Sequence, residues 1–189
     1  SNTNTTTQSG SNSNISGNWV QSGSRWWYKH ADGSYKTNGW EKINGVWYRF
    51  DNSGWMQTGW VKDGSWYYLD SSGAMKTGWL KDNGSWYYLD SSGAMKTGWI
   101  KDNEKWYHLN QDGIMQTGKQ EINGSRYYLN TSGAMQTGWK WLENKWYYYA
   151  NSGAMKTGWI KDNEKWYYLN QDGIMQTGKQ EINGTHYYL

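Results

Sequence analysis

Residues 78–97 read GWLKDNGSWYYLDSSGAMKT, and close copies of this stretch recur from Gly39 to the end of the chain. A glycine opens each copy, and successive glycines lie twenty residues apart except for one step of nineteen: Gly39, Gly59, Gly78, Gly98, Gly118, Gly138, Gly158 and Gly178. A fixed period of this size indicates an array of one small structural unit. We therefore expect no single repeat to be a domain, because so short a segment cannot bury a core alone.

Each copy carries the pattern of a β-hairpin. Residues 78–81 predict a first strand, residues 82–85 a turn, and residues 86–89 a return strand. The turn dipeptide Asn83-Gly84 favours a type I′ turn, which needs positive φ at both central residues. Asp63-Gly64 is a close substitute. Three copies lack the glycine and predict a different turn: Asn103-Glu104, Asn144-Lys145 and Asn163-Glu164.

The side chains of the return strand alternate between two faces. Trp86 and Tyr88 point one way, and Tyr87 and Leu89 point the other. Both faces are apolar and a lone hairpin is marginal in water, so neighbouring hairpins must cover both of them. The sequence therefore predicts an all-β solenoid of about nine stacked hairpins over residues 18–189, whereas the polar residues 1–17 predict a flexible linker.

The composition narrows the function. The chain has 17 Trp, 17 Tyr and one Phe, although aliphatic side chains would fill a solenoid without polar atoms to satisfy. Its formal net charge of +3 is scattered along the repeats, which argues against a nucleic-acid partner. Without cysteine, with three separated histidines and with no apolar run near 20 residues, we expect no metal, no cofactor and no membrane span.

The junction between two hairpins is the candidate binding site. If the Trp face of one hairpin meets the Tyr-Leu face of the next, two Trp and one Tyr form three aromatic walls. Such a box suits a quaternary ammonium, because each ring face presents negative charge density to the cation. Each cation–π contact contributes about 0.5–2 kcal/mol. The connector methionines, such as Met75 and Met95, are expected to close its floor.

The motifs Gly-Trp, Trp-Tyr-Tyr and Gly-Ala-Met at this spacing resemble the choline-binding repeats of pneumococcal-type surface proteins and cell-wall hydrolases. The likeness covers residues 18–189. It implies a left-handed superhelix in which two aromatics of one hairpin and one of the next enclose choline. The implied partner is the phosphocholine of teichoic and lipoteichoic acids, and the implied location is the extracellular bacterial cell surface. A homodimer is left open.

The resemblance implies seven choline-binding boxes, each with two Trp and the first Tyr of the next hairpin. They are Trp19, Trp26 and Tyr48; Trp40, Trp47 and Tyr67; Trp60, Trp66 and Tyr87; Trp79, Trp86 and Tyr107; Trp99, Trp106 and Tyr127; Trp139, Trp146 and Tyr167; and Trp159, Trp166 and Tyr187. The second Tyr of each return strand is the alternative third wall.

Two hairpins depart from the pattern. Lys119 and Arg126 replace the two Trp of the sixth hairpin, and Lys179 and His186 replace those of the ninth. A cation in place of a ring repels a cationic ligand, so we expect no box there unless Lys119 folds inward and fills the remaining rings itself.

Several further residues have a structural interpretation. Trp27, Trp55 and Trp141 are expected to be structural or surface aromatics, and His108 to be a tolerated replacement for Tyr. The repeated acids, Asp162 among them, are expected to hold turns.

Two other binding functions are compatible with the sequence. Aromatic repeats also bind glucans and other carbohydrates, and adhesion to a host protein leaves no sequence signature. An enzyme would need a unique catalytic constellation, and the chain shows none. The chain is therefore interpreted as a non-catalytic attachment module, to which a peptidoglycan hydrolase outside these residues could be fused.

Overall fold

The computed structural model describes residues 16–189, and within this range the regular structure consists of β-strands. The chain divides into two compact units, the first ending at Lys96 and the second spanning Thr97–Leu189. The predicted linker falls largely on residues 1–15, which lie outside the described residues. The first strand begins at Gly17.

The first unit consists of four antiparallel hairpins, each a separate two-stranded sheet. Their strands are β1 (Gly17–Ser22) and β2 (Arg25–His30), β3 (Gly39–Ile43) and β4 (Val46–Phe50), β5 (Gly59–Asp63) and β6 (Ser65–Leu69), and β7 (Gly78–Asp82) and β8 (Ser85–Leu89).

The second unit consists of five hairpins of the same kind. Their strands are β9 (Gly98–Asp102) and β10 (Lys105–Leu109), β11 (Gly118–Ile122) and β12 (Ser125–Leu129), β13 (Gly138–Leu142) and β14 (Lys145–Tyr149), β15 (Gly158–Asp162) and β16 (Lys165–Leu169), and β17 (Lys179–Ile182) and β18 (Thr185–Tyr188). The all-β series of hairpins predicted from the repeat is thus confirmed.

The hairpin turns differ from the prediction at the copies without glycine. Asn103 and Glu104 have φ of 49° and 68°, the same positive pair as Asn83 and Gly84 at 49° and 82°. The expectation of a different turn is therefore wrong. The two strands keep the same length and register in each case, so the chain must reverse over two residues whatever their identity. The copy at Glu143 and Asn144, with φ of 53° and 64°, behaves alike, and its central pair lies one residue earlier than predicted.

The third hairpin has the shortest turn. Asp63 pairs with Ser65, and Gly64 alone connects them with a φ of 73°. Asp63-Gly64 is therefore not the central pair of a two-residue turn. The missing residue accounts for the single nineteen-residue step in the repeat.

Six connectors link the hairpin that they follow to the preceding hairpin, through the amides of Met56, Met75, Met95, Met135, Met155 and Met175. Met75 lies in the connector that follows the third hairpin. Its amide donates to the carbonyl oxygen of Trp47 in β4 of the second hairpin at 2.9 Å, and Met75 also forms a β-bridge with Leu69. Met175 donates to Trp146 in the same way, at 2.9 Å. Both of these bonds fix the backbone of the second Trp of the earlier hairpin.

The connectors also pack on one another. A Cβ added to Gly93 would lie 2.5 Å from the Sδ atom of Met75, and the φ of Gly93 is +88°. Only glycine meets both requirements without strain. Met75 thus packs against the following connector, and the suggestion that methionines close the floors of the boxes stays a prediction.

The core consists of the last residues of seven return strands, from β4 to β16, and these residues are almost completely buried. These residues are Phe50, Leu69, Leu89, Leu109, Leu129, Tyr149 and Leu169, all at 2% exposure or less. The burial of the Leu residues agrees with the expectation that neighbouring hairpins cover both faces of a hairpin. No helix in residues 16–189 is long and apolar enough to span a membrane.

Candidate choline-binding site

In each hairpin that carries a box, the register of the two strands places the two box tryptophans on one face. In the eighth hairpin Trp159 pairs with Tyr168 and Lys161 pairs with Trp166, so these four side chains form the corners of a square. Tyr167 belongs to the opposite face, as the alternation predicted.

The first Trp of a hairpin contacts the first Tyr of the next hairpin. The ring centroids lie 4.9 Å apart and the planes are inclined by 62–66°. This contact is observed for Trp19 and Tyr48, Trp40 and Tyr67, Trp60 and Tyr87, Trp99 and Tyr127, Trp139 and Tyr167, and Trp159 and Tyr187. Trp79 and Trp86 lie in the first unit and Tyr107 in the second, and that box stays a prediction.

In two junctions the second Trp stands nearly perpendicular to the first. The rings of Trp139 and Trp146 are 6.4 Å apart and inclined by 90°, and those of Trp159 and Trp166 are 6.5 Å apart and inclined by 83°. Two perpendicular indoles and a phenol therefore form a corner with three walls in each of these two junctions.

The corners are open to solvent. The second Trp of six hairpins is exposed by 38–60%, and these residues are Trp47, Trp66, Trp86, Trp106, Trp146 and Trp166. Trp26 of the first hairpin is half-buried. An open indole face beside two other rings is available to a ligand.

The second Tyr of each hairpin has a different position. Tyr68 contacts Trp60 of its own hairpin at 5.2 Å, and Tyr168 contacts Trp159 at 5.1 Å. The first Trp thus has a phenol from its own hairpin and another from the next. His108 takes the place of the second Tyr in the fifth hairpin, where it packs on Trp99 at 4.9 Å and hydrogen-bonds Gln116.

An aspartate holds the first indole in place, which the sequence did not reveal. The Nε1 atom of Trp139 donates to Asp162 at 3.1 Å, and Trp40 and Trp60 donate likewise to Asp63 and Asp82 at 2.9 and 3.0 Å. Asp162 was expected to hold a turn, and it holds a box residue of the preceding hairpin instead. The detectable signal is an Asp at the end of the first strand, three residues after its Trp.

The aromatics outside the boxes are partly exposed. Trp27 packs edge-on against Tyr35 at 5.3 Å, and the Arg25 guanidinium lies over Trp55 at 4.2 Å. Trp141 is 54% exposed and contacts Trp146 at 5.2 Å, so it lies directly beside a box.

The sixth junction has an internal cation. The Nζ atom of Lys119 lies 4.3 Å from the ring centre of Tyr147, donates to the phenol oxygen at 3.2 Å and is 3.4 Å from Glu143. Partial desolvation lowers the pKa of Lys119, but the hydrogen bond to Tyr147 and the charges of Tyr147 and Glu143 outweigh it, so the pKa is raised. The ammonium therefore stays charged over the ring.

A cavity of about 370 Å³ adjoins this junction, and its lining includes Lys119, Arg126, Tyr127, Tyr147 and Met155. The inward position of Lys119 is the exception that the sequence allowed. In the ninth hairpin Lys179 pairs with Tyr188 and His186 with Glu181, and the absence of a box there stays a prediction.

Comparison with known proteins agrees with this geometry. The family model described as the choline-binding repeat matches residues 37–77, 63–97, 96–136, 116–157, 136–172 and 156–189. The chain belongs to the choline-binding repeat family. The resemblance inferred from the motifs is thereby confirmed, and the chain is a choline-binding repeat domain of the type found in pneumococcal surface proteins.

Several solved structures share this choline-binding repeat fold. Choline-binding protein F of Streptococcus pneumoniae is 30% identical with a TM-score of 0.69, covering 94% of this chain and 91% of the other. The choline-binding domain of CbpL from the same organism is 30% identical with a TM-score of 0.68, covering 92% and 93%. The autolysin LytC of S. pneumoniae is 31% identical with a TM-score of 0.60, covering 85% of this chain but 39% of LytC. No curated protein matches significantly.

Proposed function

We propose that this chain attaches to the bacterial cell wall by binding the choline of phosphocholine-decorated teichoic and lipoteichoic acids. Membership of the choline-binding repeat family supports choline as the ligand. The single observation that carries the proposal is the repeated corner of aromatic rings, with Trp–Tyr centroids 4.9 Å apart and the second indole open to solvent.

The chemistry of the corner matches a trimethylated nitrogen. Each ring face attracts the cation by about 0.5–2 kcal/mol, and the methyl groups gain apolar contact with the same rings. Because an open box excludes water incompletely, one box binds weakly. Several boxes on one chain raise the avidity for a polymer that carries many choline groups, wherever the spacing of those groups permits simultaneous contact.

We place the chain at the extracellular surface of a bacterium and assign it no catalytic step. The boxes account for the repeated Trp and Tyr by binding alone. LytC has been solved with a synthetic peptidoglycan ligand and choline-binding protein F with a peptidoglycan analogue, which supports a cell-wall setting for the fold. Hydrolysis of purified cell walls by this chain alone would contradict the assignment.

Calorimetric titration with free choline tests the boxes directly. We expect Trp159→Ala to bind choline at one site fewer than the unchanged chain, because the removed indole is the wall that contacts both other walls of the box, Trp166 and Tyr187. Trp27→Ala, which removes an indole outside the boxes, is the matched control and should leave the number of sites unchanged. Equal numbers of sites in all three proteins would argue against the Trp159 box.

A sedimentation assay tests the attachment itself. The chain should pellet with choline-containing cell walls, should not pellet with walls grown without choline, and should be released by free choline. Release by a soluble glucan and not by choline would favour the carbohydrate-binding function instead.

A further inference from the structure

Two neighbouring boxes of the second unit have the same aromatic geometry. In the box of Trp139, the Trp–Trp distance is 6.4 Å and the Trp–Tyr distance is 4.9 Å. In the box of Trp159 these distances are 6.5 and 4.9 Å. The two boxes therefore offer almost the same three walls to a ligand.

The two boxes differ at the fourth corner of the square of side chains on the hairpin face, which is the position that pairs with the second Trp. Opposite the second Trp, the eighth hairpin carries Lys161, whose Nζ lies 5.9 Å from the ring centre of Trp166. The seventh hairpin carries Trp141 at the same position, 5.2 Å from Trp146. One box thus has an ammonium at its edge and the other has a fourth ring.

Lysine is the usual residue in this corner. Lys62, Lys81 and Lys101 also face the second Trp of their hairpins, at 5.7, 5.9 and 6.0 Å from the ring centre. These distances are at the limit of a cation–π contact, so the contribution to holding the side chain is small. The position therefore calls for another role in a box that binds a cation.

The ion pair between Lys161 and the neighbouring carboxylate of Glu164 is weak. Lys161 is 3.7 Å from Glu164, but the two side chains are 49% and 91% exposed. An ion pair so open to water contributes little. A ligand anion held beside Lys161 by a second contact can therefore replace Glu164.

The two ends of phosphocholine carry opposite charges. Its trimethylammonium group fits the three rings, and its phosphate lies two carbons and an oxygen away. A lysine at the edge of the box repels the ammonium and attracts the phosphate, whereas an indole adds attraction for the ammonium only. The fourth corner can thus discriminate between choline and phosphocholine.

We propose that the residue opposite the second Trp determines whether a box recognises the phosphate: Lys161 makes its box prefer phosphocholine to choline, and Trp141 removes that preference from the neighbouring box. The proposal rests on the proposed function, since both ligands must enter the boxes. It assigns a specificity role to a side chain outside the aromatic walls.

Site-resolved NMR titration of the full chain tests the proposal. The indole N–H signals of Trp146 and Trp166, assigned through single Trp→Phe variants, report the two boxes while choline or phosphocholine is added at low ionic strength. We expect the Kd ratio of choline to phosphocholine to be roughly 2- to 5-fold larger at Trp166, the size of an exposed charge pair. The difference should shrink in high salt.

Exchange variants separate the corner from its surroundings. Lys161→Trp should abolish the phosphocholine preference at Trp166, and Trp141→Lys should create it at Trp146. Lys165→Gln removes a charge from the opposite face of the eighth hairpin and should leave the ratio at Trp166 unchanged. The same ratio at both boxes, or a ratio that ignores both exchanges, would overturn the proposal. If neither ligand shifts any indole signal, the proposed function fails instead.

Discussion

The carboxylate of Asp162 fixes the indole of Trp139 from the following hairpin, at 3.1 Å from its Nε1 atom. Hydrogen bonds to charged groups restrict a side chain more strongly than neutral ones do. At the scale of single residues, the boxes thus depend on groups that never face the ligand. A ring held in one orientation loses less conformational entropy when a ligand arrives.

Removing this carboxylate should weaken the adjacent box. For Asp162→Ala we expect the choline-binding free energy at the box of Trp139 to weaken by about 1 kcal/mol, which is about a 5-fold rise in Kd. The reason is that the indole of Trp139 loses a charged acceptor. The Trp146 indole signal in an NMR titration measures this. Asp112→Ala, an exposed connector acid, is the control. An unchanged Kd would show that packing alone orients Trp139.

A second residue-scale prediction concerns the connector of the fourth hairpin. The hydrogen bond from the Ser92 hydroxyl, with further bonds from the amides of Ser92 and Ala94, lowers the pKa of Asp90. A carboxyl whose pKa is lower in the folded state stabilises the fold above its unfolded pKa of about 3.9 and loses this contribution as the pH falls through the folded value.

Asparagine makes the same contacts in the second unit without titrating. Asn130 accepts from the amides of Ser132 and Ala134 at 3.0 and 2.9 Å. We therefore expect Asp90→Asn to reduce the acid-induced drop in the urea midpoint between about pH 5 and pH 2, with little change at pH 7. An identical pH dependence of the two proteins would contradict this origin of acid sensitivity.

At the scale of elements, the hairpin length takes precedence over turn chemistry. Glu104 adopts a φ of 68°, in the left-handed region that glycine occupies in other copies. Such a conformation costs a non-glycine residue on the order of 1 kcal/mol. The register of the two strands, which sets the aromatic face, leaves the turn no alternative.

Glycine at this turn should stabilise the protein. We expect Glu104→Gly to raise the free energy of unfolding by about 0.5–1 kcal/mol, since the ion pair that it removes, Lys101–Glu104, is exposed and weak. Urea denaturation measures the change. Glu164→Gly should repeat the effect, and Gly84→Glu should reverse it. A loss of stability in both glycine variants would show that the turns are not strained.

At the scale of the whole molecule, the binding sites are unevenly distributed along a regular array. The Lys119 ammonium lies 4.3 Å from the ring centre of Tyr147, where a bound cation would gain the same attraction. Lysine is protonated at neutral pH, and the raised pKa of Lys119 extends its charged state to higher pH than usual. The array therefore carries one junction whose ring is already engaged by its own chain.

A crystal soaked in choline should reveal this pattern. We expect ligand density in the box of Trp159 and none beside Lys119, because a second cation would be repelled there. Density beside Lys119 would refute the loss of this site. Empty Trp139 and Trp159 boxes at saturating choline would count against the proposed function as a whole.

The repeat predicted much of the architecture because its signals are local. Alternation of side chains along the return strand put Trp86 and Tyr88 on one face and Tyr87 and Leu89 on the other, as the register of the hairpin bears out. The pairing of Trp159 with Tyr187 was also predictable, since apolar faces on both sides of a hairpin must be covered by its neighbours.

The remaining features depend on contacts between strands or between repeats, which the local sequence pattern does not specify. The bond from Trp139 to Asp162 joins residues 23 positions apart, and an Asp three residues after the Trp of its own strand does not indicate which other hairpin's indole it holds. The turn at Asn103 and Glu104 was predicted incorrectly because local propensity favours another conformation, and the strand register overrides it.

The sequence by itself determined the hairpins, their number and the residues that face each other, because strand periodicity and a fixed repeat act over a few residues. Only the tertiary structure decided which acid orients each indole, that Lys119 covers Tyr147, and that Trp141 packs against Trp146. These depend on distances between side chains of different strands and repeats, which a linear pattern does not contain.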